Sequence, residues 1–293
     1  MDLDKYLADR AALVNNALKE ALAGHEERPK NLHTAMHYSL FAGGKRLRPI
    51  LTLAACEASG GNKEDAINAA CAMECIHTYS LIHDDLPALD NDDLRRGRPA
   101  CHKVFGEALA ILAGDALLTA AFEIMAKTPH PDKGVVVKAV YEAANAAGSL
   151  GMVGGQAVDI ESEGTEVDFP ALEYIHIHKT GKLIRASVRC GALIGGAGAE
   201  GFSALTRYGE SVGLVFQIAD DILDVEGSIK DMGKAVGGDA KKGKATYPSL
   251  MGVVESRRLA NELVERAVSA LSGFGDKAEP LRAIARFITE RKK

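Results

Sequence analysis

The sequence predicts an all-α protein folded as a single domain, and three observations lead to this prediction. Alanine and leucine, which carry the highest helix propensities, are abundant along the chain. Apolar residues recur at helical spacing over long segments, as in residues 66–85 and 202–225. No segment shows the alternation of period two that marks a half-buried strand. The 293 residues contain no convincing linker, so we expect one domain over residues 1–293 with roughly ten helices.

Short breaks rich in glycine, proline or charge separate the predicted helices in order along the chain. They lie near residues 24–30, 59–63, 128–134, 162–170, 227–243 and 273–279. The β-branched run at 135–137 is flanked by alanine-rich helix formers, so we assign it to a helix. Gly209 and Gly213 lie one turn apart in a long helix and would let another helix approach closely.

Composition argues against several classes of protein. The net charge of −5, from 35 basic and 40 acidic side chains, argues against a general nucleic-acid binder. The five cysteines form no CxxC pair, so we expect small buried hydrophobes in a reducing compartment. The N-terminal segment lacks a secretory signal, and the longest apolar stretch, residues 108–122, is too short to span a bilayer. A cytoplasmic protein without stable membrane insertion is therefore expected.

Two aspartate clusters, each followed by basic residues, predict the chemistry. The first contains Asp84, Asp85 and Asp90, and the second contains Asp220, Asp221 and Asp224. The basic residues are Arg95, Arg96 and Arg98 after the first cluster, and Lys230 and Lys234 after the second. Grouped carboxylates bind hard cations such as Mg²⁺, and arginine suits bidentate contacts to phosphate. The combination predicts an anionic ligand bridged by metal, and a diphosphate fits best.

Spacing gives each cluster a different geometry. Asp220 and Asp224 lie one turn apart, so they share a helical face, whereas Asp221 points elsewhere. Their apolar neighbours argue against a solvated acidic face, because buried carboxylates need partners or metal. Pro87 interrupts the first cluster, so the helix should end or bulge at about 85–89 and bring Asp90 back towards Asp84. A separate basic loop, GGKRLRP, begins at residue 43 and suggests a second phosphate site without metal.

Several segments together resemble the successive motifs of the trans-isoprenyl diphosphate synthases. They are GGKRLRP, SLIHDDLPALDNDDLRRGRP, HKTGKL, FQIADDILD and DMGKAVGGDAKKGKATYP. They occur in the order of that family and cover the chain from Gly43 to Pro248. The spacing of four residues between Asp85 and Asp90 resembles that of bacterial-type farnesyl diphosphate synthases, while Asn91 stands where an aspartate is common.

This resemblance implies an all-α bundle of the isoprenoid synthase type around a deep central cavity, usually in a homodimer, with three Mg²⁺ ions. It implies metal ligation by Asp84, Asp90 and Asp220, with Asp85 and Asp224 acting through water or as supporting groups. It implies an allylic diphosphate bound by Arg95, Lys179, Lys234 and Lys244, and isopentenyl diphosphate bound by Lys45, Arg48, His77 and Arg96. Thr180 and Gln217 resemble residues that steady the allylic cation. From the residues alone, His77 could be a core histidine, and Gln156 could be either a supporting group of the metal site or a packing amide.

The implied reaction is a Mg²⁺-dependent head-to-tail condensation of isopentenyl diphosphate with dimethylallyl and geranyl diphosphate. If the product grows from Asp84 back along its helix, Tyr79 and Ser80 lie about one turn deeper. The resemblance implies that an aromatic residue at the position of Tyr79 often stops growth at C15, so farnesyl diphosphate is expected. A neighbouring helix could change this wall, which leaves a C20 geranylgeranyl or a C10 geranyl product as the alternative.

Three other classes of protein share parts of this pattern. A class I terpene cyclase also ionises a diphosphate with Mg²⁺, but its second metal motif usually differs and it needs no GGKRLRP loop. An HD-type phosphohydrolase could use His83 and Asp84, but it would leave the second cluster unexplained. A non-catalytic partner subunit should have lost aspartates that this chain retains.

Overall fold

The computed structural model describes residues 1–22, 24, 26–226 and 245–290, which form a helical bundle. Its α-helices are α1 (Leu3–Ala21), α2 (Lys30–Leu40), α3 (Leu47–Ala58), α4 (Ile67–Asp84), α5 (Cys101–Phe105), α6 (Glu107–Ala126), α7 (Lys133–Ala147), α8 (Met152–Glu161), α9 (Phe169–His176), α10 (Lys182–Ile194), α11 (Ala199–Glu226), α12 (Tyr247–Met251), α13 (Val253–Ala270) and α14 (Glu279–Glu290). A π-helical turn, Ile177–Gly181, joins α9 to α10, and a 3₁₀ turn, Asp276–Ala278, precedes α14. The predicted all-α class is confirmed.

Several helices begin where the sequence supplies a capping side chain. Asp2, Asp132 and Asp168 each accept a hydrogen bond from a backbone N–H in the first turn of α1, α7 and α9. Thr246 and Ser249 form a reciprocal capping box at the start of α12. The β-branched run at 135–137 lies within α7, as predicted.

Two central helices organise the core. Helix α4 packs against α6, α3 and α1, while α10 packs against α3, α7 and α11. A Cβ atom added to Gly213 would lie 2.8 Å from Gly181 Cα, and one added to Gly209 would lie 3.0 Å from Arg185 Cα. The predicted role of these two α11 glycines in close helix approach is therefore confirmed.

A short hairpin departs from the predicted absence of strands. Strand β1 (Leu94–Arg95) pairs antiparallel with β2 (Arg98–Pro99). Between them, Arg96 and Gly97 have φ angles of 54° and 74°, the left-handed conformation that tight hairpin turns use. Strands of two residues are too short to produce an alternating pattern, so periodicity does not detect them.

Helix α6 is longer than the apolar stretch at residues 108–122 that was judged too short to span a bilayer. The helix continues through Gly114 and Asp115 to a length of 20 residues, and an 18-residue window within it has a mean hydropathy of 1.8. By length and composition alone it could cross a bilayer, although a core helix of a globular protein meets the same criteria. Its residues Ala113, Leu117 and Ala121 are buried in the bundle. The five cysteines are free and buried, as predicted.

Candidate active site

The first aspartate cluster lies at the C-terminal end of α4. The helix ends at Asp84 and the chain turns back, so the Asp90 amide donates a hydrogen bond to the Asp84 carbonyl at 2.9 Å. Asn91 follows with a φ of 51°, and its amide donates to the Leu86 carbonyl at 3.1 Å. Pro87 lies within this turn and cannot donate a backbone hydrogen bond. The predicted return of Asp90 towards Asp84 is confirmed.

Neighbouring side chains hold the first two aspartates. Gln156 Nε2 donates to Asp84 Oδ1 at 2.7 Å, so Gln156 supports the site rather than only packing between helices. Asp85 is buried and accepts a hydrogen bond from Arg95 Nε at 2.8 Å and another from Arg95 Nη2. Burial raises the pKa of Asp85, and Arg95 opposes that effect. Arg95 also reaches Asp92 Oδ2 at 3.3 Å, so two carboxylates orient its guanidinium group.

The second cluster lies in the last turns of α11 and fixes the amide of Gln217. Asp221 is buried and accepts hydrogen bonds from Gln217 Nε2 at 2.9 Å and from the Tyr247 amide at 3.0 Å. Thr180 Oγ1 donates to Gln217 Oε1 at 3.1 Å. Asp221 therefore orients Gln217, and Gln217 contacts Thr180 in the π turn.

The carboxylates of both clusters are suited to hard cations. Asp220 and Asp224 lie one turn apart on α11, where Asp224 is buried and Asp220 is half-buried. Both clusters lie towards the C-terminal ends of helices, whose partial negative charge favours bound cations. Among the described residues, no three His, Cys, Asp or Glu side chains converge on one point. Carboxylates that occur singly or in pairs fit Mg²⁺, which takes one or two carboxylates and completes its shell with water and phosphate oxygens.

Helix α8 and the π turn connect the two clusters. A Cβ atom on Gly155 would overlap the Lys179 backbone nitrogen, so only glycine allows this contact. Lys179 Nζ donates to Asp159 Oδ2 of α8 at 2.8 Å, and the next residue, Thr180, reaches α11. Because Gln156 of α8 contacts the first cluster, a hydrogen-bonded path leads across α8 and the π turn to the second cluster.

Several basic residues lie at the loop that precedes α3, and we call Lys45, Arg48, His77 and Arg96 the arginine-rich group. Gly43 and Gly44 have φ angles of 100° and 115°, and a Cβ atom on Gly44 would lie 2.6 Å from Arg96 Cζ. Arg96 Nη1 donates to the Gly43 carbonyl, so the β1–β2 hairpin closes over this loop. Lys45 is exposed, with its Nζ 5.9 Å from the centre of the Phe287 ring. Arg96 of the hairpin therefore contacts the backbone of the loop that carries Lys45.

Electrostatics link Arg48 and His77 to this group. Burial lowers the pKa of Arg48 to about 10, and Arg96 adds to this, while attraction to Glu74 and Asp220 opposes it. Burial, followed by repulsion from Arg48 and Arg96, lowers the pKa of His77 well below its ordinary value. His77 is therefore neutral at pH 7 in the absence of an anion. Arg48 lies close enough to Asp220 of the second cluster for the two charges to interact.

Tyr79 and Ser80 point to different sides of α4. The Tyr79 ring is 6% exposed and packs edge-on against the His83 ring, with 5.7 Å between centroids. His83 Nε2 lies 3.0 Å from the Ile111 carbonyl of α6, so Tyr79 sits at the side of α4 that faces α6. Ser80 is half-buried and lies one turn before Asp84 on the same face.

Spacing could have identified the partners of two acidic residues, Asp221 and Asp159, to which the sequence analysis assigned no role. Asp221 lies four residues after Gln217, so a helix places both on one face even though Asp221 lies off the face of its acidic neighbours. Asp159 lies three residues after Gln156 and shares its face of α8. The first orients Gln217, and the second forms an ion pair with Lys179.

His176 was also missed, and no spacing signal points to it. It is 7% exposed at the end of α9, with its Nε2 3.9 Å from Asp221 Oδ2. Its ring lies 5.2 Å from that of Tyr247, and its Nδ1 has no hydrogen-bond partner among the described residues. Together with Lys179, Gln217 and Asp221 it lines a small polar cavity. This placement depends on the tertiary fold.

The structure sorts the described site residues into two neighbouring groups, whereas Lys234 and Lys244 lie outside the described residues. The carboxylate-rich group contains Asp84, Asp85, Asp90, Arg95, Lys179, Thr180, Gln217, Asp220 and Asp224. The arginine-rich group contains Arg48, His77 and Arg96, whose charges interact, together with Lys45, which lies in the adjoining loop. Their individual roles stay predictions. An all-α fold with a carboxylate-rich group beside an arginine-rich group fits a prenyltransferase that acts on diphosphates.

Comparison with known proteins gives the family. Residues 29–276 match the polyprenyl synthetase profile, and the chain belongs to this family of prenyltransferases. It is 50% identical to a protein of Arabidopsis thaliana named heterodimeric geranylgeranyl pyrophosphate synthase large subunit 1, chloroplastic, over 99% of this chain and 80% of that protein. It is 48% identical to a geranylgeranyl diphosphate synthase of Cyanophora paradoxa, over 98% of this chain and 95% of that protein.

A solved structure agrees in fold over nearly the whole chain. The crystal structure of a protein titled FPP/GFPP synthase, from Zymomonas mobilis, matches with a TM-score of 0.88 and 40% identity. The match covers 98% of this chain and 99% of that one. The likeness in fold therefore extends beyond the motif segments.

The expectation of a farnesyl diphosphate synthase is wrong. Relatives that are about half identical over nearly the full chain are named for the C20 product, geranylgeranyl diphosphate. We expected Tyr79 to stop the growing product about one turn deeper than Asp84, but residues five apart on a helix point about 140° apart. The Tyr79 ring packs against His83 near α6. The position of one residue on one helix therefore does not define the surface that stops the growing product, which we call the floor.

His176 should make stability fall as the pH drops below about 6.5. Burial lowers the pKa of His176 from 6.5 to about 3, so the ring stays neutral in the folded protein. The unfolded chain takes up this proton below about pH 6.5, which favours unfolding by up to about 1.4 kcal/mol per pH unit.

The measurement is the free energy of unfolding in urea between pH 7 and pH 5. The variant His176→Gln should show a shallower loss of stability than the wild type over this range. Equal slopes for the two proteins would contradict the prediction.

Proposed function

We propose that this prenyltransferase is a geranylgeranyl diphosphate synthase. It condenses isopentenyl diphosphate head-to-tail with dimethylallyl, geranyl and farnesyl diphosphate to give the C20 product. The observation that carries the proposal is the hydrogen-bonded path between the two aspartate clusters, next to a separate arginine-rich group. The first arrangement suits a metal-bound allylic diphosphate, and the second suits a diphosphate without metal. The names of the half-identical relatives support the C20 length.

Mg²⁺ is the proposed cofactor, with three ions present when substrate is bound. Asp84, Asp90 and Asp220 would hold the ions through carboxylate oxygens, the ligands that Mg²⁺ prefers. Asp85 and Asp224, both buried beside them, would support the site through water. When bound, Mg²⁺ neutralises charge that develops on the departing diphosphate.

Lys179 and Arg95 are the described cations proposed to bind the allylic diphosphate. The allylic C–O bond breaks with both electrons going to the diphosphate, and these cations stabilise that charge. Lys179 is held by Asp159 at 2.8 Å, and Arg95 is held by Asp85. Both side chains are therefore oriented before substrate arrives, which reduces the reorganisation needed during the reaction.

Thr180 and Gln217 are proposed to face the allylic cation. The amide nitrogen of Gln217 is bound by Asp221, which directs its Oε1 towards Thr180. Oxygen dipoles held in this way stabilise a neighbouring positive charge. The isopentenyl double bond attacks the allylic carbon, and the departing diphosphate accepts the proton that is then lost. The reaction needs no further protein base, and burial protects the cation from water.

A product assay tests the proposed function. Purified protein is incubated with Mg²⁺, labelled isopentenyl diphosphate and, separately, dimethylallyl, geranyl or farnesyl diphosphate, and the products are separated by chain length. We expect C20 from all three allylic substrates, and no product when EDTA removes the metal. A C15 end product would contradict the proposed length alone. No incorporation by folded, metal-loaded protein would contradict the reaction.

Ser80 should control product length more strongly than Tyr79. Ser80 lies one turn before Asp84 on the same face, so a large side chain there should obstruct a chain growing along α4. The variant Ser80→Phe should shorten the main product from C20 to C15 or C10, and Tyr79→Phe, which preserves ring packing, should leave it unchanged. The measurement is the product distribution. Unchanged length in Ser80→Phe would place the growing chain elsewhere.

A homodimer is the proposed assembly, with α6 at its centre. Ile111 and Leu112 are 43% and 53% exposed on a helix in which an 18-residue window has a mean hydropathy of 1.8. On the neighbouring α7, Val137 and Tyr141 are each 66% exposed and lie one turn apart. An apolar surface of this kind on two packed helices favours a protein partner, and a second copy of the chain is the simplest occupant.

Leu112→Asp should dissociate this dimer, because burying an unpaired carboxylate in an apolar interface is unfavourable. Sedimentation equilibrium should give a dimer for the wild type and a monomer for the variant. Val254→Asp is the matched control, since Val254 is 83% exposed on α13. The control should remain dimeric, and a dimeric Leu112→Asp protein would exclude this face.

A further inference from the structure

Arg46 lies in the basic loop before α3, but its side chain enters the bundle and is almost fully buried. Its Nη1 donates to Glu74 Oε1 at 2.6 Å, and its Nε donates to Asn15 Oδ1 at 2.9 Å. Its Nη2 donates to the carbonyl of Leu40, the last residue of α2, at 2.6 Å. One guanidinium group therefore ties the basic loop to α1, α2 and α4.

Glu74 connects the hydrogen-bonded Arg46 guanidinium group to the arginine-rich group. It is 1% exposed on α4, three residues before His77 and on the same face. One carboxylate oxygen accepts the hydrogen bond from Arg46, and the other is buried without a hydrogen-bond partner among the described residues. The Nε of Arg48 is likewise buried without a hydrogen-bond partner among the described residues. The Glu74 carboxylate attracts the charge of Arg48. Glu74 therefore acts on arginines at two positions of the loop.

The location of the ion pair indicates a role beyond stability. A buried ion pair is an inefficient way to stabilise a fold, because desolvation offsets much of its attraction. Arg46 also has a φ of 52°, a left-handed conformation that is uncommon for an arginine, and its carbonyl accepts the first helical hydrogen bond of α3 from Ile50. Arg46 lies between Lys45 and Arg48 in the chain. The Arg46–Glu74 ion pair therefore fixes the backbone from which the Lys45 and Arg48 side chains extend.

We propose that the buried Arg46–Glu74 pair positions the metal-free diphosphate site by holding Lys45, Arg48 and His77 in a fixed arrangement. Arg46 and Glu74 are positioning residues and do not touch the substrate. The inference rests on the proposed function only in taking isopentenyl diphosphate as the occupant of this site. It does not depend on the length of the product.

The charge of Glu74 distinguishes this proposal from two simpler explanations. If Glu74 acted only through its charge, replacing it with glutamine would make the site more positive and tighten diphosphate binding. If Glu74 acts by positioning, the same change weakens binding even though the site becomes more positive. A purely structural role would lower thermal stability and would affect both substrates alike.

The test compares Glu74→Gln and Arg46→Lys with the wild type. We expect KM for isopentenyl diphosphate to rise about tenfold, while KM for geranyl diphosphate stays within about twofold. Calorimetric titration with isopentenyl diphosphate in the absence of metal should show a matching loss of affinity. Glu142→Gln is the matched control, because Glu142 of α7 accepts a hydrogen bond from Arg189 of α10 at 2.6 Å in a pair that includes no proposed site residue. This control should change thermal stability but not KM for isopentenyl diphosphate.

The outcomes separate the two proposals. An unchanged or lower KM for isopentenyl diphosphate, or an equal rise for both substrates, would overturn the positioning role. If Glu74→Gln does not fold, Arg46→Lys decides by the same criterion, because it keeps the charge and loses the planar fork. A wild-type product shorter than C20 would contradict the proposed product length and leave this inference intact. Failure of the wild type to bind isopentenyl diphosphate without metal would overturn the inference.

Discussion

The contact between α8 and the π turn determines how the two aspartate clusters are placed. Gly155 lies against the Lys179 backbone with no room for a side chain. This approach lets one face of α8 place Gln156 on Asp84 and Asp159 on the Lys179 ammonium group. Because the residue after Lys179 contacts α11, a displacement of α8 would disturb both clusters together. The separation of the two aspartate clusters thus depends on a neighbouring helix as well as on the helices that carry them.

Features set by local chemistry could be predicted from the sequence. The helical class follows from propensity and periodicity, and the return of Asp90 to Asp84 follows from Pro87, which cannot continue regular helix bonding. The close approach at Gly213 follows from a missing side chain at a buried helical position. The grouped carboxylates and arginines could also be recognised in the sequence as candidate site residues, because sites for metal-bound diphosphates use these residue types in any fold.

Features set by distant parts of the chain could not be predicted. The π turn inserts a change of helical register that no residue type announces, yet it directs Lys179 and Thr180 to different helices. His176 joins the site only because α9 packs beside α11 and α12. The error over product length has the same origin. A floor is a surface made by several helices, and the direction of the Tyr79 ring depends on His83 and α6.

Helix α4 carries parts of both proposed substrate sites on one rigid element. His77 and Asp84 are seven residues apart, about 10 Å along the helix axis at 1.5 Å per residue. Arg46 fastens the basic loop to the same helix through Glu74. Because backbone hydrogen bonds fix the length of a helix, α4 would keep the two diphosphates of the proposed reaction at a constant distance. In the proposed reaction, each round of elongation would then begin with the same distance between the two diphosphates, whatever the length of the hydrocarbon already made.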